Sequence, residues 1–182
     1  MTDALAEVFM TRRDEAMKLI LTVTCCALAL GGAALPAAAA PPQDVTISST
    51  FVAVGDLTAG TTTGTFSISG AITDGGALTG DYRFAGLGHL KTGSPNAIDA
   101  DQTLAGEQGT ISIAIVGLYG PFVDGVTTGE GRWVIVGGTG VYEDLRGEGS
   151  WIASADFRAA FAGTGPPVVV HTDSGQVHWG QG

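Results

Sequence analysis

The chain has 182 residues, a formal net charge of −10 at neutral pH and 45% apolar residues. One domain is the expectation at that length. From Pro41 onward five basic residues (Arg83, Lys91, Arg132, Arg146, Arg158) stand against fourteen acidic ones, which argues against nucleic acid and against anionic lipid as partners and reads as the charge that keeps a protein in solution.

Residues 1–40 read as an N-terminal extension and a secretory signal peptide, and 41–182 as the folded domain. After Met17, Lys18 is a short basic region, Leu19 to Leu30 an apolar stretch, and Ala37 to Ala40 a small-residue cleavage region. The apolar stretch is too short for a membrane span, so the mature chain is expected to have none. Cleavage is expected after Ala39 or Ala40, with Ala39 favoured because Pro41 follows the later bond. Asp3, Glu7, Asp14 and Glu15 do not suit a basic leader, which favours Met17 over Met1 as the start. Both cysteines, Cys25 and Cys26, fall in the apolar stretch. The mature chain is then cysteine-free, secreted or periplasmic, and must fold on its core alone.

In the mature chain, short alternating or β-branched runs recur between Gly, Asp and Pro clusters, and no sustained helical period appears. The pattern predicts strands over 45–54, 62–72, 78–85, 102–104, 109–118, 130–136, 148–157, 168–172 and 176–179. Asp74-Gly75-Gly76 is expected as a tight turn, residues 86–100 as the longest loop, 163–167 as a break, and Ser174-Gly175 as a further hairpin turn. Eight or nine short strands suit an all-β, antiparallel sandwich or closed barrel, and closure removes exposed edges.

The stretch Trp133 to Glu143, WVIVGGTGVYE, admits two readings. A dinucleotide loop needs a further glycine where a helix packs on the strand, and that helix must follow. Glu143 occupies the glycine position, and Gly147 and Gly149 weaken any helix there by about 1 kcal/mol each. A hairpin corner accounts for the residues better. Gly131, Trp133 and Ile135 then share one strand face, and Gly147, Gly149, Trp151 and Ala153 share the matching face of the return strand. Both tryptophans are expected inside with glycines making room, and Arg132 is expected to pair with Glu148.

The run Gly137-Gly138-Thr139-Gly140, then Tyr142, then Arg146-Gly147, resembles a GGTG stretch of dirigent proteins and is similar to the corresponding region of allene oxide cyclases. Bacterial secreted barrels of this kind resemble the chain most. The resemblance implies an eight-stranded antiparallel barrel, lipocalin-like in outline, with a hydrophobic cavity open at one end. Plant members guide a cyclisation or a radical coupling there without any cofactor. The seven motif residues would be structural, and no catalytic residue carries over.

Other candidate chemistry is sparse. His171, Asp173 and His178 could meet across a terminal hairpin, but the spacing fits no standard metal site, so no metal and no cofactor are expected. His89 is a lone third histidine. Asp99 and Asp101 would share a strand face as paired carboxylates, with solvation the simpler reading. Ser150 and Ser154 lack a nucleophile-elbow context. Tyr82, Phe84, Tyr119, Phe122, Trp133 and Trp151 are the side chains expected to line or plug a barrel. Three functions remain, in this order: a binding protein for a small apolar or aromatic molecule, a cofactor-free cyclase or dirigent-like enzyme, and a structural or surface-interaction protein with a filled barrel. A homo-oligomer stays open.

Overall fold

The structure is a computed structural model that describes residues 41–56, 58–85 and 96–180. The signal-peptide region, both cysteines, His89 and Lys91 lie outside the described residues.

Eight antiparallel strands form a closed barrel: β1 (Gln43–Gly55), β2 (Ala59–Gly70), β3 (Asp74–Ala85), β4 (Asn96–Gly106), β5 (Thr110–Tyr119), β6 (Val126–Gly138), β7 (Leu145–Asp156) and β8 (Val168–Trp179). Each strand pairs with the next, and β8 closes on β1 from Gln43↔Val177 to Val52↔Val168. A 3-10 turn (Gly140–Tyr142) joins β6 to β7, and a one-turn helix, α1 (Arg158–Phe161), precedes β8.

Period-two alternation sets the faces. On β1, Val45, Ile47, Ser49 and Phe51 are buried between exposed Ser48 and Thr50. On β7, Leu145, Gly147, Trp151, Ala153 and Ala155 point inward while Arg146, Glu148, Ser150, Ile152 and Ser154 face solvent.

The two ends of the barrel differ. At the end formed by the β2–β3, β4–β5 and β6–β7 connections, Leu78, Leu104, Ile113, Tyr142, Leu145 and Val177 are essentially inaccessible and fill the interior. Tyr142 Oη donates to Asp74 Oδ2 at 2.7 Å, and Asp74 Oδ1 accepts from the Gly75 amide at 2.8 Å and the Glu107 amide at 3.2 Å. One carboxylate thus ties three connections together. The Gly-Gly-Thr-Gly stretch lies at this packed end. Gly140 has φ +63°, and a side chain at Gly138 would press on the Tyr142 carbonyl carbon at 2.9 Å. Val136 is an extra residue against β5, since Ser112 pairs with Gly137 and Ile113 with Ile135.

Several local expectations are corrected. Asp74-Gly75-Gly76 begins β3, and the turn lies at residues 71–73. β4 starts at Asn96, so residues 96–100 of the expected loop are strand. Ser174-Gly175 is not a turn: β8 runs through it, with Gly175 opposite Gly149. Arg132 faces Ser150 in register and Glu148 faces Val134. Among the described residues, Arg158 forms an ion pair with Asp156, and the His171 imidazole lies near the Asp173 carboxyl. Asp124 (φ +51°) and Gly125 (φ +80°), flanked by the reciprocally bonded Val123 and Val126, form a tight β5–β6 tip that the strand pattern does not reveal.

Candidate functional site

The other end of the barrel is hollow. Small inward residues, among them Ala53, Ala100, Ala153 and Ala155, occupy β1, β4 and β7 in this half. They leave a cavity of about 470 Å³ lined by Ala53, Tyr82, Phe84, Asn96, Tyr119, Phe122, Thr127, Phe157, Ala160, Phe161 and Pro167, with Gly55 and Asp56 at its edge. Beneath it lies a smaller chamber of about 40 Å³, which shares Ala53, Tyr82, Phe84, Tyr119 and Phe157 with the outer one. Thr62, Gln102, Trp151 and His171 are among the residues that line it.

Six of the lining residues are aromatic, and most of the ring contacts are edge to face, an arrangement that satisfies ring quadrupoles and fixes ring planes, while Tyr119 is tilted against Trp151. From the outer cavity inward, Tyr82 meets Phe84 at 5.7 Å between centroids, Phe84 meets Tyr119 at 5.8 Å, Tyr119 meets Trp151 at 5.7 Å, and Trp151 meets His171 at 5.1 Å. A second cluster joins the β5–β6 connection to α1: Phe122 packs on Phe157 at 5.0 Å and on Phe161 at 5.5 Å. Phe161 is nonetheless 59% exposed.

Two polar side chains of the outer cavity are bonded to its frame, while Asn96 Oδ1 is buried there without a partner. Tyr82 Oη donates to the Asp56 carbonyl at 2.9 Å, and Thr127 Oγ1 donates to the Gly120 carbonyl at 2.8 Å. The Asp56 carboxylate accepts from the Thr58 hydroxyl and from the Thr58 and Ala59 amides, which holds its pKa below the usual value. Burial pushes the phenols of Tyr119 and Tyr82 up, with Asp56 adding to the effect at Tyr82.

Ser49, Thr62, Gln102, His171 and Asp173 are all buried, and of these Thr62, Gln102 and His171 line the inner chamber. Ser49 Oγ, Thr62 Oγ1, His171 Nδ1 and Asp173 Oδ1 have no hydrogen-bond partner. His171 Nε2 lies 3.6 Å from Asp173 Oδ1, beyond hydrogen-bond reach. Burial pulls the imidazole down to about 4 and pushes the Asp173 carboxyl up to about 8, so both are uncharged at neutral pH.

Of the six aromatics singled out from sequence, Tyr82, Phe84, Tyr119 and Phe122 line the outer cavity and Trp151 the inner chamber. Trp133 lines neither. Its indole covers Gly149 and Gly175 and donates to the Ser150 carbonyl at 3.1 Å. The expected meeting of His171, Asp173 and His178 does not occur. β8 is continuous, so His171 and Asp173 point inward and His178 outward. Among the described residues, no group of three or more metal-ligating side chains comes together. Asp99 and Asp101 share the outer face of β4, and Ser150 and Ser154 are exposed on β7. Sequence reasoning did not include Phe51, Asn96, Phe157, Phe161, Thr62 or Gln102. The signal for His171 was present, because Val169, His171, Asp173 and Val177 fall on one strand face once no turn interrupts them.

No family model matches the chain, and no curated protein sequence matches it. Among solved structures it is similar to a pterocarpan synthase dirigent protein, at 13% identity and a TM-score of 0.26, over 85% of this chain and 100% of that one. Those values bear on neither fold nor activity. The barrel rests on the chain's own strand pairing.

Proposed function

We propose that the protein binds a small apolar or aromatic molecule in the hollow end of its barrel. The observation that carries this reading is the cavity of about 470 Å³ with six aromatic side chains in its wall, joined to a smaller inner chamber. A protein selected only for stability gains by filling such a space, because apolar voids forfeit packing contacts. Ligand sites are commonly concave, largely apolar, of this size, and furnished with few polar groups. Tyr82, Phe84, Tyr119, Phe122 and Trp151 would contact the ligand. The likeness of residues 137–147 to cyclase and dirigent barrels supports a cavity-bearing barrel, and the seven motif residues serve it structurally at the packed end.

The test is native mass spectrometry of the exported protein for a copurified molecule, together with Nile red titration of stripped protein. Saturable one-to-one dye binding that a Phe84→Ala/Tyr119→Ala variant weakens is expected. A stripped protein that neither enhances dye fluorescence nor yields any bound molecule would favour a structural role.

Cofactor-free catalysis is a second reading. One observation favours it: the His171 imidazole, buried and uncharged, belongs to the lining of the inner chamber. A neutral imidazole can act as a proton acceptor toward a bound molecule. Export remains part of the proposal through residues 1–40, and fractionation of cells expressing the chain with and without those residues tests it. Among the described residues no helix is long and apolar enough to cross a membrane.

A further inference from the structure

The polar groups of the outer cavity differ in what they have left to offer a ligand. Tyr82 and Thr127 each give their hydroxyl proton to a main-chain carbonyl, at 2.9 Å and 2.8 Å, so toward the cavity their oxygens can only accept. Asn96 is 3% exposed, and its Oδ1 has no hydrogen-bond partner. It opens β4 directly opposite Tyr119, and both side chains line the cavity. Buried polar groups in native proteins are almost always bonded, and an unpaired acceptor in a cavity of ligand size marks a place where a donor is received. The Asp56 carboxylate stands at the edge. The bonds from Thr58 and Ala59 all go to its Oδ1, which leaves Oδ2 to other partners and keeps the group ionised at neutral pH. The six rings of the wall add the negative faces of their π systems.

We propose that the outer cavity receives a protonated amine carried on an apolar body, whose N–H donates to Asn96 Oδ1 while the rings of the wall and the Asp56 carboxylate at the edge favour its charge. This inference rests on the cavity reading above and adds the chemical class of the ligand. An ammonium loses hydration on entry. A ring-lined site compensates through cation–π attraction, which is strongest where water is excluded, and Asp56 adds a charge of the opposite sign that needs no direct contact. The whole chain acts in the same sense, with five basic residues against fourteen acidic ones from Pro41 onward, a balance that draws cations toward the protein. An anionic ligand fits the wall poorly. The Asn96 amide nitrogen and the Tyr119 hydroxyl can donate, but neither carries a charge to balance an anion. Among the described residues, Arg83, Arg132 and Arg146 lie on outward strand positions, and Arg158 is paired with Asp156.

Three naphthalene probes of similar size test this at pH 7: 2-naphthylmethylamine, which is protonated there, 2-naphthalenemethanol and 2-naphthoate, each titrated as a competitor of bound Nile red. The amine is expected to bind about tenfold more tightly than the alcohol, the margin of a charge-assisted hydrogen bond over a neutral one, and the carboxylate to bind most weakly. Added salt should reduce the amine's advantage. Asn96→Leu is expected to weaken the amine and the alcohol, and Asp56→Asn to weaken the amine while leaving the alcohol unchanged. An alcohol that binds as tightly as the amine, or a carboxylate that binds tightest, would overturn the amine site and leave the cavity reading intact, and this comparison requires no variant to fold. Amine affinity unchanged in a folded Asn96→Leu protein would overturn it as well. Binding of none of the three would overturn both readings together.

Discussion

Trp151 lies directly opposite Gly131 across the β6–β7 ladder, and a β-carbon on that glycine would come within 2.6 Å of the indole Nε1. The relationship is reciprocated two pairs along, where Trp133 lies opposite Gly149 and a β-carbon there would reach its Nε1 at 2.8 Å. Each indole is seated on glycine and donates to a main-chain carbonyl, Trp151 to Val116 and Trp133 to Ser150, both at 3.1 Å. Gly131→Ala should therefore overpack the interior and cost about 3 kcal/mol, the upper part of the usual range, because the new methyl meets the Gly117 backbone at 2.6 Å as well as a ring. Urea unfolding measures it. A loss under about 0.5 kcal/mol, the size of an ordinary surface change, would mean that the indole is not seated as described.

The packed end has its own test. Tyr142 Oη donates to Asp74 Oδ2, and that bond is the main reason the Asp74 carboxyl lies below its usual pKa of 3.8. A depressed carboxyl pKa adds stability that is present above pH 3.8 and fades as the pH falls through the folded-state value. Tyr142→Phe is expected to lower stability by about 1 kcal/mol at pH 7 and to narrow the gap between stabilities at pH 7 and pH 3. Denaturant melts of the two proteins at both pH values decide it. An unchanged gap would remove Asp74 from the explanation.

His171 and Asp173 predict a different pH dependence. Unfolded, the carboxyl ionises near 3.8 and the imidazole near 6.5; folded, burial moves them to about 8 and about 4. Between pH 3.8 and 8 the folded Asp173 keeps a proton that the unfolded chain has released, so its contribution makes stability fall as pH rises. Between pH 4 and 6.5 the unfolded chain binds a proton that folded His171 refuses, so its contribution makes stability rise with pH. The two oppose each other below pH 6.5, and above it Asp173 acts alone. Its register neighbours Ile47 and Trp151 carry no charge. Stability at pH 8 should therefore be lower than at pH 6.5 by about 1–2 kcal/mol, and Asp173→Asn should flatten that interval. Chemical unfolding at half-unit pH steps would expose the opposite case, a wild-type profile already flat there.

Filling the hollow end should separate binding from folding. Ala53 borders both chambers. Ala53→Leu places three more carbons in empty space, which is expected to leave stability within about 1 kcal/mol of the wild type or to raise it. Nile red affinity should fall at least about tenfold, a 1.4 kcal/mol loss of binding free energy. Undiminished dye binding would place the dye outside the barrel.

Which of these features a reader of the sequence could see depended on their range. The inward placement of Trp133 and Trp151 was legible, because alternation on β6 and β7 assigns faces within a few residues. The Gly-Gly-Thr-Gly corner was legible as a hairpin, since Glu143 and the glycines after it are incompatible with a nucleotide-binding helix. Ser174-Gly175 was misread for a physical reason. A Ser-Gly pair inside a β-branched run signals a turn locally, but Gly175 is there because the indole of Trp133, on β6, covers it, at a separation of 42 positions in the chain. Asp74 was misread in the same way, because its partners Glu107 and Tyr142 belong to later connections.

The sequence by itself therefore determined the all-β class, the faces of most strands, the aromatic content of the interior and the absence of a dinucleotide loop, since each depends on local period, propensity or a single incompatible residue. Only the tertiary structure decided that β8 closes on β1, that one end is filled while the other is hollow, and that His171 and Asp173 are buried together beside the hollow end while His178 is not. Those outcomes depend on the summed volume and polarity of side chains that eight strands bring to the same height in the barrel, and residues far apart in the chain contribute to each sum.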